Sequence, residues 1–358
     1  MNISANTKSN KRIIINSSEA RERIINGNEA NIMEYPYMAV VIVEFGNNDD
    51  DIMTDIKLCG GSLVAPNVVL TAAHCRGETQ RIIMGAQNLF ATNLEEPDRE
   101  YFNVVKEIIH PEYSNTGVVM FDAMLLILDA DSTYDLVHLD GFGNHMQSLN
   151  HDEPLTTIGF GKPKLGGASS SGDDVLLVSE TLLQSVIQYV DPIICKSLFG
   201  SASDETIVLD TNIHLCAGSS SSASCSGDSG GPLLKKFQNN NTSVQVGLVS
   251  WGPAGCLLPP FPVVYTDIAA IYPWVSETSC AWASSSAICR DHRSREPPSP
   301  SPSVSPTITG NPTSPPSESA QLSSHQVDSA SASVTKFTSL ANIHMIKSIC
   351  FVSWLLYC

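Results

Sequence analysis

Neither a C-x-x-C pair nor an H-E-x-x-H signature occurs in this chain, so the commonest zinc and dithiol-redox frameworks are excluded. Positive charge is scarce. Its 20 Lys and Arg stand against 37 Asp and Glu, a net charge of −17, which excludes non-specific nucleic-acid binding as a function. Membrane-spanning apolar runs are missing as well. Ile349 to Cys358 is apolar, but its ten residues fall short of the roughly 20 that cross a bilayer as a helix. At the other end Ile13-Ile14-Ile15, set among Asn, Lys and Ser, is too short for the apolar region of a signal peptide. Amphipathic helical windows are few, which points away from a helical bundle.

Cysteine, by contrast, is plentiful. Ten cysteines, among them the spaced pairs Cys59 and Cys75, Cys195 and Cys216, and Cys225 and Cys256, point to an oxidising compartment. The sequons Asn16-Ser17-Ser18 and Asn240-Asn241-Thr242 are compatible with export. The expectation is a secreted or extracellular protein whose signal peptide is truncated from this sequence. Composition changes after about Ser279, and residues 294–335 are too rich in Ser and Pro to build a core. We therefore divide the chain into residues 1–23, 24–282 and 283–358. Cys280 and Cys289 are spaced for a small local disulfide. Small residues at Ser329–Ser333, a spacer and the apolar end loosely resemble a GPI-attachment signal, although a plain secreted tail is the favoured reading.

Residues 1–23 are polar and end in Arg21-Glu22-Arg23, followed by Ile24-Ile25-Asn26-Gly27. They read either as a disordered leader or as a pro-segment cut at the exposed basic residue. Short β-branched runs follow at Tyr37–Phe45, Arg81–Gly85, Phe102–Val105 and Ile108–Pro111, each expected to be a strand. Between the first two, Cys59–Cys75 reads as two strands joined at Pro66-Asn67, with His74 at the end. Taken alone, His74 beside a cysteine reads as a structural or surface histidine more often than as a functional one. Asp122, at the mouth of the apolar run Ala123–Leu128, reads as a strand cap or a buried carboxylate with a partner. Later strands are expected at Thr157–Gly161, Val186–Val190, Val244–Val249 and Val263–Thr266, and Pro273-Trp274-Val275 is expected to open a terminal helix. Many short strands with Gly- and Pro-rich turns make the fold all-β, a barrel or a sandwich.

One stretch organises the rest: Cys225-Ser226-Gly227-Asp228-Ser229-Gly230-Gly231-Pro232. Glycines bracketing one serine allow a backbone turned tightly enough to aim N–H groups at whatever that serine attacks. Together with Leu70-Thr71-Ala72-Ala73-His74-Cys75, Asp122-Ala123-Met124-Leu125-Leu126 and Ser250-Trp251-Gly252, in that chain order, it resembles the chymotrypsin-like serine proteases. The match runs over residues 24–275 of 358, about seven-tenths of the chain. The His and Ser motifs are highly specific; Phe121, Ala123 and Met124 depart from the commoner residues around the aspartate.

The resemblance implies two six-stranded antiparallel β-barrels with a C-terminal helix and a site in the cleft between them. It implies that His74, Asp122 and Ser229 form a catalytic triad. Serine is a weak nucleophile at neutral pH, so an imidazole must take its proton and return it to the leaving amine, while a carboxylate fixes the imidazole tautomer. Backbone N–H groups of Gly227 and Ser229 would form the oxyanion hole. Cleavage after Arg23 by an activating trypsin-like protease would free the Ile24 ammonium to pair with Asp228, although Asn26 replaces a glycine usual in that terminus. Ala223 stands at the pocket floor, where an aspartate for Lys or Arg substrates is absent. With Ser250 and Gly252 on one wall and Val263 replacing a lining glycine, the resemblance implies a shallow, elastase-like pocket for small or medium apolar residues. Ser250-Trp251-Gly252 would pair with an extended substrate strand.

Three disulfides carry over: Cys59 with Cys75, Cys195 with Cys216, and Cys225 with Cys256. A fourth family bridge is absent at both ends. The calcium-binding loop of relatives is in doubt because Ala86 stands where an acidic ligand is expected, although Glu95 and Glu96 lie nearby. No cofactor and no metal is expected. The expected partners are protein or peptide substrates, an activating protease and protease inhibitors. The alternative from another class is a non-catalytic protease-fold binding or inhibitor protein, which the retained triad disfavours.

Overall fold

The computed structural model describes residues 27–45, 55–116, 119–141, 149–161, 178–200, 209–219, 224–225, 227–237, 242–253 and 261–289. Fourteen strands run through them, twelve of these in two antiparallel barrels. The first barrel is built from β2 (Met38–Phe45), β3 (Asp55–Ala65), β4 (Val68–Thr71), β5 (Thr79–Met84), β6 (Glu100–Ile109) and β7 (Met124–Leu128), closed in the order β2-β3-β4-β7-β6-β5. Two of its strands, β4 (VVLT) and β7 (MLLIL), are buried throughout. The strands expected at Phe102–Val105 and Ile108–Pro111 are a single strand, β6. A register shift against β7 between Val104 and Lys106 breaks the apolar pattern without ending the pairing.

The second barrel uses β9 (Pro154–Gly159), β10 (Leu183–Val190), β11 (His214–Gly218), β12 (Pro232–Phe237), β13 (Thr242–Trp251) and β14 (Val263–Asp267). It runs β9-β10-β11-β14-β13-β12 and returns to β9. Two short strands that the sequence did not signal are added to it: β1 (Asn28–Glu29) on β10 and β8 (His138–Leu139) on β13. Along β10 buried and less buried residues alternate, which is the period of a strand with one face to the core.

The helix α1 (Pro192–Gly200) carries Cys195, bonded to Cys216 of β11. The terminal helix α2 (Ile268–Trp282) starts earlier than Pro273, which lies inside it. Asp267 provides the start that proline was expected to provide, its side chain accepting the Ala269 N–H at 2.9 Å. Ile268, Ile271, Tyr272 and Val275 recur at helical spacing and are buried, and all four join the large apolar cluster that holds the core of the first barrel together with Ile158, Leu234 and Leu248 of the second. Cys280 bonds to Cys289 just beyond the helix. Among the described residues no helix is long and apolar enough to cross a membrane. Arg23, Ile24, Ala223, Cys256, residues 1–23 and the Ser/Pro-rich stretch lie outside the described residues.

Candidate active site

The histidine is presented by the first barrel. After β4 the chain enters a short helical turn, Ala73–Cys75, and the Cys59–Cys75 disulfide ties that turn to β3. His74 is thereby held at the barrel end. Asp122 precedes β7, which pairs with β4 through Thr71 and Met124, so the two residues emerge side by side from neighbouring strands. His74 Nδ1 donates to Asp122 Oδ2 at 2.7 Å, and the His74 backbone N–H donates to Oδ1 at 3.0 Å. Two contacts come from the second barrel. Ser250 Oγ donates to Oδ2 at 2.6 Å, and Thr266 Oγ1 donates to the Asp122 carbonyl at 3.2 Å.

Asp122 is fully buried. Burial works to raise its pKa, but the charge of His74 and the hydrogen bonds from His74 and Ser250 outweigh it and hold the carboxyl below its usual value. Of the two readings that the sequence allowed, the buried carboxylate with a partner is the one found. The other imidazole nitrogen, His74 Nε2, is buried and has no hydrogen-bond partner among the described residues.

Ser229 comes from the second barrel, at the turn before β12. Asp228 N–H donates to the Cys225 carbonyl at 2.9 Å, Gly231 N–H to the Asp228 carbonyl at 2.8 Å, and Gly230 N–H to Val249 of β13 at 2.8 Å. Gly227 has φ +100° and Gly230 φ +77°, both in the region that favours glycine. At Gly230 the reason is doubled, because a β-carbon would lie 2.2 Å from Thr71 Oγ1 and 2.7 Å from the Gly60 carbonyl. This close approach brings the loop onto the first barrel: Gly60 N–H donates to the Ser229 carbonyl at 2.8 Å, and Cys75 Sγ lies 3.7 Å from the same oxygen. His74, Asp122 and Ser229 are thus brought to one seam between the barrels.

Asp228 is as buried as Asp122 and is held differently. Among the described residues its oxygens accept only backbone N–H groups, from Cys225 at 2.9 Å and Gly161 at 2.8 Å, and burial pushes its pKa up to about 7. Among the described residues it forms no ion pair. Behind the loop, Ser224 Oγ joins Thr157 Oγ1 and Tyr265 OH, each at 2.9 Å, in a buried hydroxyl cluster. Burial also raises the Tyr265 hydroxyl pKa well above its usual value.

Of the expected pocket residues, Ser250 turns its hydroxyl to Asp122, and Gly252 faces Val263, whose Cγ2 would lie 3.5 Å from a β-carbon on Gly252. Cys225 is disulfide-bonded; its expected partner Cys256 is outside the described residues. Thr266, Ser224 and Thr157 are polar neighbours that sequence reasoning did not assign, and Ser250 was expected in the pocket but not on Asp122; these contacts join residues 41 to 144 positions apart.

Comparison with known proteins bears directly on this arrangement. The family profile described as Trypsin matches residues 24–275. The chain belongs to the trypsin family. It is 30% identical to the chymotrypsin-like elastase family member 1 of Macaca fascicularis, over 73% of this chain and 91% of that one. It is 31% identical to the chymase of Papio hamadryas, over 73% and 92%. The solved structure described as "Structure of GrC" superposes with a TM-score of 0.56 at 26% identity, covering 71% of this chain and 98% of that one. This trypsin-family chain is accordingly a serine endopeptidase, a hydrolase of peptide bonds.

In the loop from Ala86 to Arg99, Arg99 is buried. Its Nε donates to Glu96 Oε2 at 2.6 Å, Nη1 to the Ala91 carbonyl at 3.0 Å, and Nη2 to the Asn88 carbonyl. Glu96 also accepts the Gln87 and Asn88 N–H groups, at 3.0 and 2.9 Å. Among the described residues no group of three or more His, Cys, Asp or Glu is placed to hold a metal.

Proposed function

We propose that this trypsin-family enzyme is a secreted endopeptidase, made as a zymogen and activated after Arg23, that cleaves protein and peptide substrates after small or medium apolar residues. Ser229 attacks the scissile carbonyl, His74 takes the serine proton and passes it to the leaving amine, and Asp122 holds the imidazole. The observation that carries this assignment is the buried Asp122–His74 pair, with Nδ1 engaged at 2.7 Å and Nε2 left without a partner among the described residues. Because Nδ1 donates to Asp122, Nε2 of the neutral ring is an acceptor, the state a general base needs. Gly227 and Ser229 supply the oxyanion N–H groups, and loss of one such donor typically costs about 2.7–4 kcal/mol of barrier.

The activation reading is supported by Asp228. A fully buried carboxyl with, among the described residues, backbone donors alone, pushed up to about 7, is a site that gains most from a cation, and the Ile24 ammonium freed by cleavage is that cation. The pocket reading is supported by Val263 packing over Gly252. Secretion is supported by the disulfides Cys59–Cys75, Cys195–Cys216 and Cys280–Cys289. The peptidase domain then spans 24–282 and is followed by residues 283–358, of which Ile288 and Cys289 still pack into its core.

A fluorophosphonate probe should label the trypsin-treated chain, and labelling that survives Ser229→Ala would overturn the assigned nucleophile. Mild trypsin treatment should create a new N-terminus at Ile24 together with activity; activity before that cut refutes the zymogen reading. A peptide-library profile dominated by Lys or Arg would refute the apolar preference.

A further inference from the structure

Two non-glycine residues among those described have positive φ, Asp152 at 69° and Phe121 at 46°. Aspartate tolerates the left-handed region because its short polar side chain bonds locally; phenylalanine has no such help, and a bulky residue there is an outlier that surrounding structure must hold. Outliers of this kind gather at functional sites. Phe121 immediately precedes Asp122.

The holding structure is aromatic. The Phe121 ring lies flat on the His110 ring, centroids 4.7 Å apart and planes 3° apart, and Trp274 of α2 meets His110 edge-on at 4.8 Å. His110 also reaches past the aspartate, its backbone N–H donating to the Ala123 carbonyl at 3.0 Å. Ala123 N–H in turn donates to the Phe121 carbonyl at 2.7 Å, so the chain reverses within three residues whose middle member is Asp122. His110 therefore grips both neighbours of the aspartate, one through its ring and one through its backbone.

We infer that Phe121 is a positioning residue for the proteolytic reaction, locked in a left-handed conformation by its stack on His110 so that the Asp122 carboxylate is aimed at His74. The inference rests on the reading of Asp122 as the carboxylate of the triad. Without the stack, the turn relaxes toward the extended region and Asp122 swings from Nδ1. Substrate contacts stay intact, so the loss falls on turnover.

The test uses the full-length chain, assayed with and without trypsin treatment. Phe121→Ala should lower kcat by about 10- to 100-fold with little change in KM. It should also move the acid limb of the kcat/KM profile to lower pH, because a loosened carboxylate stabilises the imidazolium less. Phe121→Tyr keeps the stack, and Phe121→Asn takes the left-handed region readily, so both should stay within a few-fold of the parent. Wild-type kcat and an unmoved acid limb in Phe121→Ala overturn the inference, as does Phe121→Asn falling as far as Phe121→Ala. If Phe121→Ala does not fold, His110→Leu makes the same comparison, with the same expected loss of kcat. Asp122→Asn runs in parallel. Full activity in that variant sinks the triad reading itself, whereas an inactive Asp122→Asn beside a fully active Phe121→Ala sinks only the role given to Phe121.

Discussion

Each barrel buries one aspartate at the seam, and the two carboxylates are held in opposite ways. Asp122 of the first barrel has a histidine at 2.7 Å and a serine hydroxyl at 2.6 Å, and its pKa is held down. Asp228 of the second has two backbone N–H groups, and its pKa is pushed up to about 7. Burial raises both. The sign is decided by the side chains beside the carboxylate, a histidine and a serine hydroxyl at Asp122, and backbone donors do not outweigh desolvation at Asp228. The comparison separates a carboxylate whose side-chain partners are in place from one held by backbone donors among the described residues.

The largest effect should come from breaking the Asp122–His74 pair. Asp122→Asn removes the charge and favours the wrong imidazole tautomer, and kcat should fall about 10⁴-fold, read from the hydrolysis of a peptide ester after activation. A loss of less than tenfold would mean that the two aspartates are not functionally different.

The second test uses pH. Asp122, with its native pKa depressed, contributes stability that is present above the ordinary aspartate value of 3.8 and is lost as pH falls through its native value. Asp228, raised from 3.8 to about 7, contributes stability that is fully present below 3.8 and lost as pH rises through about 7. The uncleaved chain should therefore lose roughly 3 kcal/mol at this residue between pH 4 and pH 7, seen in denaturant unfolding against an Asp228→Asn control. After cleavage that difference should shrink, since an ammonium partner restores the ionised form. Parallel slopes for the parent and Asp228→Asn would break the comparison.

Smaller changes sharpen it. Ser250→Ala takes one donor from a buried carboxylate and should cost about 1.5–3 kcal/mol, measured by urea unfolding. Val263→Gly leaves both aspartates untouched and should alter only specificity, raising cleavage after aromatic residues by about tenfold in kcat/KM.

How much of this was legible in the sequence depends on the range of the interaction. His74 and Ser229 announce themselves because their roles need local devices, a short turn beside a cysteine and glycines around a serine, and those devices leave contiguous motifs. The strands are legible for the same reason. Asp122 was half legible: its place before β7 was clear, but its burial depends on Ser250 and Thr266, more than a hundred residues later. The start of α2 was misplaced because Pro273 looked like a first-turn residue, while the cap that sets the boundary, Asp267, sits at the end of a strand. The strain at Phe121 left a trace only as an unusual neighbour of the aspartate. Its meaning required the ring of His110, and nothing in the composition of either segment joins the two.

The buried guanidinium of Arg99 has a consequence for the loop from Ala86 to Arg99. A loop ordered by a dissolved ion gains stability only as that ion's concentration rises above its dissociation constant. Here the positive charge that gathers Glu96 and the Ala91 and Asn88 carbonyls is covalently part of the chain, and these contacts are made without a dissolved ion. The melting temperature should be the same in chelator as in excess calcium, and a rise with calcium would show that the charge carried in the sequence leaves the loop unfinished.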